Sequence, residues 1–209
     1  MLSGLENLWN ISMTKYVGTT KGLIDWDSII ANIQPRSGDH NTVSSVVDRS
    51  ESNWAQDPAL LGSYHEIIGT WQRANYDLNN IEWWDYYPGE HFDISVQDKF
   101  ANLVNADPLR VFVSEVMPGQ CAPYHWDVED HEEEWLAIGP LVRYVCFMDK
   151  PHFGSVFILK DECFYLMEQY GVYEWNHYRD HHAGTNCGIH PQYLFHFLGR
   201  PRSNLSDGS

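Results

Sequence analysis

A histidine and a carboxylate stand two residues apart, at His125 and Asp127, shortly after the apolar run 109–117. On an extended strand, side chains at i and i+2 project from the same face, so both can reach one metal ion. A third ligand is available downstream, where His181 and His182 are adjacent. The alternative is a surface strand end at which the histidine and the aspartate are solvated.

The segments around this motif indicate how it is positioned. Two histidines and one carboxylate on one face of a small β-barrel match the facial triad that binds non-haem Fe(II) and leaves coordination positions open. Apolar, strand-like runs precede and follow the motif, at 109–117, 141–148, 154–159, 171–175 and 193–198. This order predicts a mainly β protein with N-terminal helices (α+β) and a double-stranded β-helix core of the cupin or jelly-roll type.

The first half of the chain predicts supporting layers around that core. Helical spacing is found at 25–33, 58–76 and 96–104, a strand is expected at 11–17, and the polar stretch 36–54 is expected to be a mobile lid. We expect a single domain over 1–209, with 1–104 as support, 105–200 as the barrel and 200–209 as a flexible tail.

Two further segments allow two interpretations each. The aromatic stretch 81–92 is either a strand and turn that seals the barrel or a wall that faces the substrate. The acidic stretch 129–135 is either a solvated loop or a contact for a basic substrate.

Composition narrows the class of protein. The 209 residues are 43% hydrophobic and carry a net charge of −16, which argues against non-specific binding to nucleic acid or to an anionic membrane. We see neither a membrane span nor a secretory signal. None of the four cysteines forms a CxxC pair, which favours free thiols in a reducing cytoplasm, although a bridge between Cys121 and Cys187 stays open.

At this point the residues resemble a known family. The succession PYHWD, VRYVCFM, a glycine-centred strand, WNHYRDHHAGTN and YLFHFLG is similar to the 2-oxoglutarate/Fe(II)-dependent dioxygenases, especially small aspartyl/asparaginyl-hydroxylase-like or phage-type members. The resemblance covers about residues 105–200. It implies that His125, Asp127 and His182 hold Fe(II), with His181 as the competing third ligand. The asparagine of HAGTN, Asn186, is also typical of the family.

The chain departs from the family at the site for 2-oxoglutarate. Many members carry Arg or Lys about ten residues past the distal histidine, and this chain has the neutral Gln192. Arg143 is the expected replacement, because its fork suits a carboxylate and a charge in an apolar strand needs a partner. Structural acids such as Glu115 or Asp161 are alternative partners for Arg143.

Other residues are predicted to contribute to the co-substrate site. Arg200 is a second candidate for the cation, against the simpler interpretation of a surface charge. Tyr144, Asn186, Gln192 and His196 are predicted to contribute polar contacts, and His196 could equally be a satisfied core histidine. Because Arg143 is not a ligand, we expect iron binding to survive its replacement.

The resemblance implies an enzyme that uses Fe(II), 2-oxoglutarate and O2. It would hydroxylate an unactivated C–H bond of a peptide side chain, an amino acid or a small metabolite, with release of succinate and CO2. We expect a cytoplasmic protein (host cytoplasm if phage-encoded) with no nucleic-acid or membrane partner. The alternative is a cupin-like metal-binding or structural protein, or a zinc hydrolase, for which Gln192 is the main support.

Overall fold

The computed structural model describes residues 14–42, 69–75, 77, 80–127, 131–150, 152–160, 162–165, 167–175 and 177–202. Three helices lie in this part of the chain, α1 (Trp26–Asn32), α2 (Ser95–Val104) and α3 (Glu132–Ile138), and residues 69–73 are also helical. The strands are β1 (Lys15–Thr19), β2 (Asp39–Thr42), β3 (Glu82–Tyr86), β4 (Ala106–Val116), β5 (Cys121–His125), β6 (Val142–Phe147), β7 (Ser155–Leu159), β8 (Glu162–Phe164), β9 (Gly171–Glu174), β10 (His182–Asn186) and β11 (Gln192–Pro201).

The strands form two antiparallel sheets. The larger has the order β1-β9-β6-β11-β4-β3-β2, and the smaller has the order β5-β10-β7-β8. From β4 onward the chain crosses repeatedly between the sheets: β4, β6, β9 and β11 lie in the larger one, and β5, β7, β8 and β10 in the smaller one. This alternation is the topology of a double-stranded β-helix, which confirms the predicted fold class.

Strand β11 separates two cores, because successive side chains on a strand face opposite ways. Tyr193, Phe195 and Phe197 pack on the outer side with Phe100 of α2. Leu194 packs on the inner side, between the sheets, with seven other buried residues: Val145, Phe147, Phe157, Leu159, Phe164, Tyr173 and Trp175. Helices α1 and α2 therefore cover one face of the larger sheet, and the other face lines the interior of the barrel.

Local sequence explains the boundaries that matter for the site. Asp25 caps α1 by accepting a hydrogen bond from the Ser28 backbone N–H at 3.1 Å. Between β4 and β5 the chain turns at Pro118-Gly119, where Gly119 has a φ of 83°, a conformation that glycine adopts without steric cost. The turn brings β5, with His125 at its end, into the smaller sheet.

The structure corrects several predicted boundaries. Residues 39–42 of the expected lid form β2, which pairs with β3, while 43–54 lie outside the described residues. Within the expected acidic loop, Glu132 begins α3. The last strand continues to Pro201, where a flexible tail was expected, and 203–209 lie outside the described residues.

The N-terminal expectations are met only in part. Strand β1 overlaps the end of the strand expected at 11–17, and residues 11–13 lie outside the described residues. The helix expected at 58–76 falls on helical residues at 69–73, and 58–68 lie outside the described residues. Among the described helices, none has the length and apolarity that a membrane crossing requires.

Candidate metal centre

The ends of two neighbouring strands bring the predicted ligands together. His125 is the last residue of β5, His182 is the first residue of β10, and the two are direct partners in the antiparallel register. Asp127 follows β5 by two residues, on the same side as His125. The structure therefore assembles His125, Asp127 and His182 at one edge of the smaller sheet.

The separations between the ligand atoms suit a single ion. His125 Nε2 lies 3.3 Å from Asp127 Oδ1, and His182 Nε2 lies 3.7 Å from Asp127 Oδ2. One ligand atom from each of the three residues lies within 4.8 Å of the others. Metal–nitrogen bonds are about 2 Å long, so a small adjustment of these side chains would place all three around one cation.

Backbone carbonyls determine which imidazole nitrogen faces the site. His125 Nδ1 bonds the Pro123 carbonyl, and His182 Nδ1 bonds the Asp180 carbonyl at 3.2 Å. A carbonyl oxygen only accepts, so each Nδ1 carries the hydrogen and each Nε2 keeps its lone pair. Three acceptor atoms thus converge with no hydrogen between them, and a cation is the species that such a group binds.

Arg143 pairs with one of these ligands. Its guanidinium, only 1% exposed on the inner face of β6, forms an ion pair with Asp127. Its Nη1 also donates to the Tyr178 carbonyl at 3.4 Å. Asp127 is thus a partner of Arg143 that the sequence did not indicate. Because Arg143 contacts a candidate ligand, its replacement is now expected to weaken metal binding, whereas the sequence predicted that iron binding would survive.

The charges around the site set the protonation of its ligands. Burial raises the pKa of Asp127, but the charge of Arg143 and the proximity of His182 and His125 outweigh it, and the pKa lies well below its ordinary value. Burial lowers the pKa of His182 well below its ordinary value, and His125 and Arg143 add to this against the pull of Asp127. At neutral pH the carboxylate is charged and the imidazole is neutral, which are the forms that bind a metal.

The inner face of β11 carries two of the predicted co-substrate residues. Gln192 and His196 are both buried, and His196 Nε2 hydrogen-bonds Ser114 Oγ at 2.9 Å. Burial, followed by the nearby charge of Arg143, lowers the pKa of His196 to about 3, so the ring is neutral. Gln192 Oε1 and His196 Nδ1 are buried and have no hydrogen-bond partner among the described residues.

Two predicted residues lie elsewhere, which corrects their assignment. Tyr144 is on the outer face of β6, in the core with Phe100 and Phe197. Its neighbour Arg143 faces the interior, so Tyr144 cannot reach the same ligand. The side chain of Asn186 is used at the turn after β10, where it donates to the carbonyls of Val116 and His190 and accepts from the Gly188 N–H.

The competing histidine and the second arginine are also placed. His181 is exposed and stacks on Tyr124 at 5.3 Å between ring centroids, with Trp126 at 4.8 Å, so it turns away from the ligands. Arg200 donates from Nη2 to the Trp135 carbonyl of α3 at 3.0 Å. The structure thus brings His182 into the triad and ties Arg200 to a helix.

Aromatic side chains surround the ligands, including one that sequence reasoning missed. Trp83 of β3 lies 6.3 Å from His125 between ring centroids, and Trp71 lies 6.1 Å from it. Trp84, the next residue of β3, is buried in the outer core, so the aromatic strand both seals the core and borders the site. Trp175, just after β9, lies 4.7 Å from His182; the signal was its place at the head of the WNHYRDHHAGTN segment.

Comparisons with known proteins add a likeness in fold at low identity. No family model matches the sequence, and no curated protein matches it. A viral collagen prolyl hydroxylase from Paramecium bursaria Chlorella virus-1 aligns at 17% identity over 57% of this chain and 78% of its own, with a TM-score of 0.39. A Pseudomonas putida prolyl-4-hydroxylase aligns at 14% identity over 76% of this chain and 99% of its own, with a TM-score of 0.40.

A protein named as a sugar phosphate isomerase, from Acidithiobacillus ferrooxidans, is also similar in fold. The identity is 10% over 48% of this chain, the TM-score is 0.32, and the aligned region spans about half (55%) of that protein. All three TM-scores lie below 0.5, so none of these likenesses supports an assignment of function.

Proposed function

We propose that the chain is an Fe(II)- and 2-oxoglutarate-dependent dioxygenase that hydroxylates an unactivated C–H bond. The observation that carries the proposal is the convergence of His125 Nε2, His182 Nε2 and the Asp127 carboxylate at the end of a double-stranded β-helix. Three ligands on one side leave the remaining positions for a co-substrate and O2. When bound, Fe(II) and 2-oxoglutarate supply oxidation of a C–H bond by O2, with succinate and CO2 as co-products.

The residues of this chain would prepare the site for that chemistry. The carbonyls of Pro123 and Asp180 hold each imidazole with Nε2 towards the metal. Arg143 keeps Asp127 ionised and restricts its rotation through the ion pair. The inner core around Phe157 keeps bulk water away from the deep side of the ligands.

Arg143 is also our candidate for the far carboxylate of 2-oxoglutarate. Gln192, at the family's usual position, is neutral, whereas Arg143 is a buried cation beside the triad. A guanidinium has five N–H donors, so a second carboxylate can bind beside Asp127. Gln192 Oε1 and His196 Nδ1, both buried, fit polar contacts along the same ligand.

Aromatic rings beside the triad indicate what class of substrate the site could accept. The rings of Trp71 and Trp83 flank His125, and such aromatic walls suit a peptide side chain, an amino acid or a small metabolite. The net charge of −16 disfavours nucleic acid and an anionic membrane as partners. All four cysteines are free thiols in the structure, which supports a cytoplasmic location.

Turnover without a prime substrate provides the first test. Protein purified without oxygen and loaded with Fe(II) is expected to consume O2 and to form succinate from 2-oxoglutarate. His182→Ala should abolish both, and His181→Ala is the matched control that should retain them. Loss of turnover in His181→Ala with activity retained in His182→Ala would overturn the ligand assignment.

The second candidate function is a cupin-like metal-binding protein or a zinc hydrolase without oxygenase activity. It is favoured by one observation: the family's cation is replaced by Gln192, and Arg143 already pairs with Asp127. Metal analysis separates the two candidates. Tight stoichiometric zinc together with no binding of 2-oxoglutarate would favour this second function.

A further inference from the structure

Trp175 carries a buried hydrogen-bond donor beside the triad. The side chain is 3% exposed, and its indole Nε1 has no hydrogen-bond partner among the described residues. An indole N–H can only donate. A buried donor left without an acceptor costs about 1–3 kcal/mol, so this group calls for an acceptor that binds here.

The ring is held between a cation and a metal ligand. The guanidinium carbon of Arg143 lies 4.8 Å from the Trp175 ring centroid, and the His182 ring lies 4.7 Å away. The backbone N–H of Trp175 donates to the Arg143 carbonyl at 2.8 Å, which fixes both residues to each other. The indole is therefore positioned before any ligand arrives, and it costs little to order on binding.

Packing alone does not explain why this residue is tryptophan. Its inner-core neighbours include Phe147, Phe157 and Phe164, and Phe157 lies 6.1 Å from it between centroids. A phenylalanine at 175 would fill an apolar core with no donor to satisfy. Trp26 provides the contrast, because its Nε1 is buried in the outer core and donates to Thr20 Oγ1 at 2.6 Å.

The chemistry of the missing acceptor follows from its surroundings. The indole N–H lies next to a buried guanidinium, so the acceptor that fits best is an anionic oxygen. Such an oxygen would accept a charge-assisted hydrogen bond and would neutralise the guanidinium. We propose that the Trp175 indole N–H donates to the distal carboxylate of 2-oxoglutarate, as a second donor beside Arg143. This inference rests on the proposed function and assigns Trp175 as a binding residue for the co-substrate.

Calorimetric titration of anaerobic, Fe(II)-loaded protein tests the proposal. Trp175→Phe should weaken the binding of 2-oxoglutarate by about tenfold or more, the loss expected for one hydrogen bond to a charged group. Binding of 2-oxobutanoate, which has the keto-acid end but no distal carboxylate, should be the same in variant and parent. Equal weakening of both oxo acids would overturn the assignment to the distal carboxylate.

Trp26→Phe is the matched control, since it also removes an indole N–H. It should lower the thermal midpoint of the metal-free protein, because a made hydrogen bond is lost, and should leave affinity for 2-oxoglutarate unchanged. Trp175→Phe should show the reverse pattern, with no loss of midpoint. If Trp175→Phe lowers the thermal midpoint as Trp26→Phe does and keeps its affinity for 2-oxoglutarate, the Trp175 indole has a structural role and the proposal fails.

A measurement on the parent protein tests the proposal even if the Trp175→Phe variant does not fold. In a 15N-labelled, zinc-loaded sample, 2-oxoglutarate should move one indole N–H signal downfield, and 2-oxobutanoate should not. If 2-oxoglutarate binds and no indole signal shifts, the role of Trp175 is refuted and the proposed function still stands. If the parent protein binds no 2-oxoglutarate in any metal form, the proposed function itself is wrong.

Discussion

Glu115 and Asp127 are both carboxylates enclosed by this fold, but their neighbours differ in kind. Glu115 is fully buried on the outer face of β4, where it accepts from the hydroxyls of Tyr86 at 2.6 Å and Tyr193 at 2.7 Å. It also accepts from the Arg36 backbone N–H at 3.0 Å. Each of its oxygens thus has a donor, and the group fastens the outer layers to the barrel.

Asp127 has the opposite surroundings. Two imidazole nitrogens face it with lone pairs, and the guanidinium of Arg143 contacts it. The side chain of Asp127 is 19% exposed to solvent, whereas Glu115 is 0% exposed. A carboxylate surrounded by donors suits a structural role, whereas one beside acceptors and a cation suits a metal site.

Replacing Asp127 by Asn should have the largest effect on metal binding. The variant removes the anionic ligand and keeps an oxygen that can accept from Arg143, so the fold should survive. Metal binding should fall below detection in a calorimetric titration that uses Mn(II) as an air-stable substitute for Fe(II). A variant that still binds metal stoichiometrically would remove Asp127 from the ligand set.

Replacing Glu115 by Ala should lower the stability of the fold and leave the affinity for metal unchanged. Two buried phenols lose their acceptor, and burial together with the contact to Glu115 already raises the pKa of both Tyr86 and Tyr193. The free energy of unfolding should fall by about 3 kcal/mol, measured by urea denaturation. The folded variant should bind one metal per chain with unchanged affinity; a parallel loss of affinity would mean that the two regions are coupled.

Replacing Arg143 by Gln should give an intermediate result at the site. The ion pair that orients Asp127 is lost, and the loss of such a partner of a ligand costs about 10–100-fold in metal affinity. The measurement is metal titration of the variant against the parent. Lys21→Gln, a change at an exposed residue far along the chain, is the control, and equal affinities for all three proteins would refute the role given to Arg143.

The smallest expected effect is a pH dependence from His196. Its folded pKa is about 3, so between that value and about 6.5 the unfolded chain binds a proton that the folded protein does not. Stability of the metal-free protein should therefore fall as pH drops through this window. His196→Gln should reduce the slope, measured by denaturation at several pH values. An unchanged slope in this variant would contradict the lowered pKa of His196.

The alternation of side chains along a strand was enough to predict the strands of the barrel and the pair of His125 and Asp127, but it did not decide the third candidate ligand. The period of a strand placed His125 and Asp127 on one side, and the apolar runs predicted the strands that became β4, β6, β7, β9 and β11. The choice between His181 and His182 needed the register of β10 against β5, which sets His182 opposite His125. Spacing alone could not give that register.

Residues whose roles depend on distant partners were beyond the sequence. Arg143 was predicted to need an anionic partner, and the partner that the structure shows, Asp127, lies just past the end of β5, a strand of the other sheet. Tyr144 was predicted to contribute to the co-substrate site, but it adjoins Arg143 on β6, and neighbours on a strand face opposite ways. Trp175 was overlooked because a tryptophan at a strand end is usual, and its unmet N–H is visible only once the core is assembled.

The most direct test of the central claim is an anaerobic titration of the metal-free protein with Fe(II) and 2-oxoglutarate, followed by visible absorption. The triad and Arg143 predict one Fe(II) per chain and a metal-to-ligand charge-transfer band that appears only when both are present, and that is lost in Asp127→Asn and His182→Ala. Tight binding of zinc with no band and no affinity for 2-oxoglutarate would contradict the account.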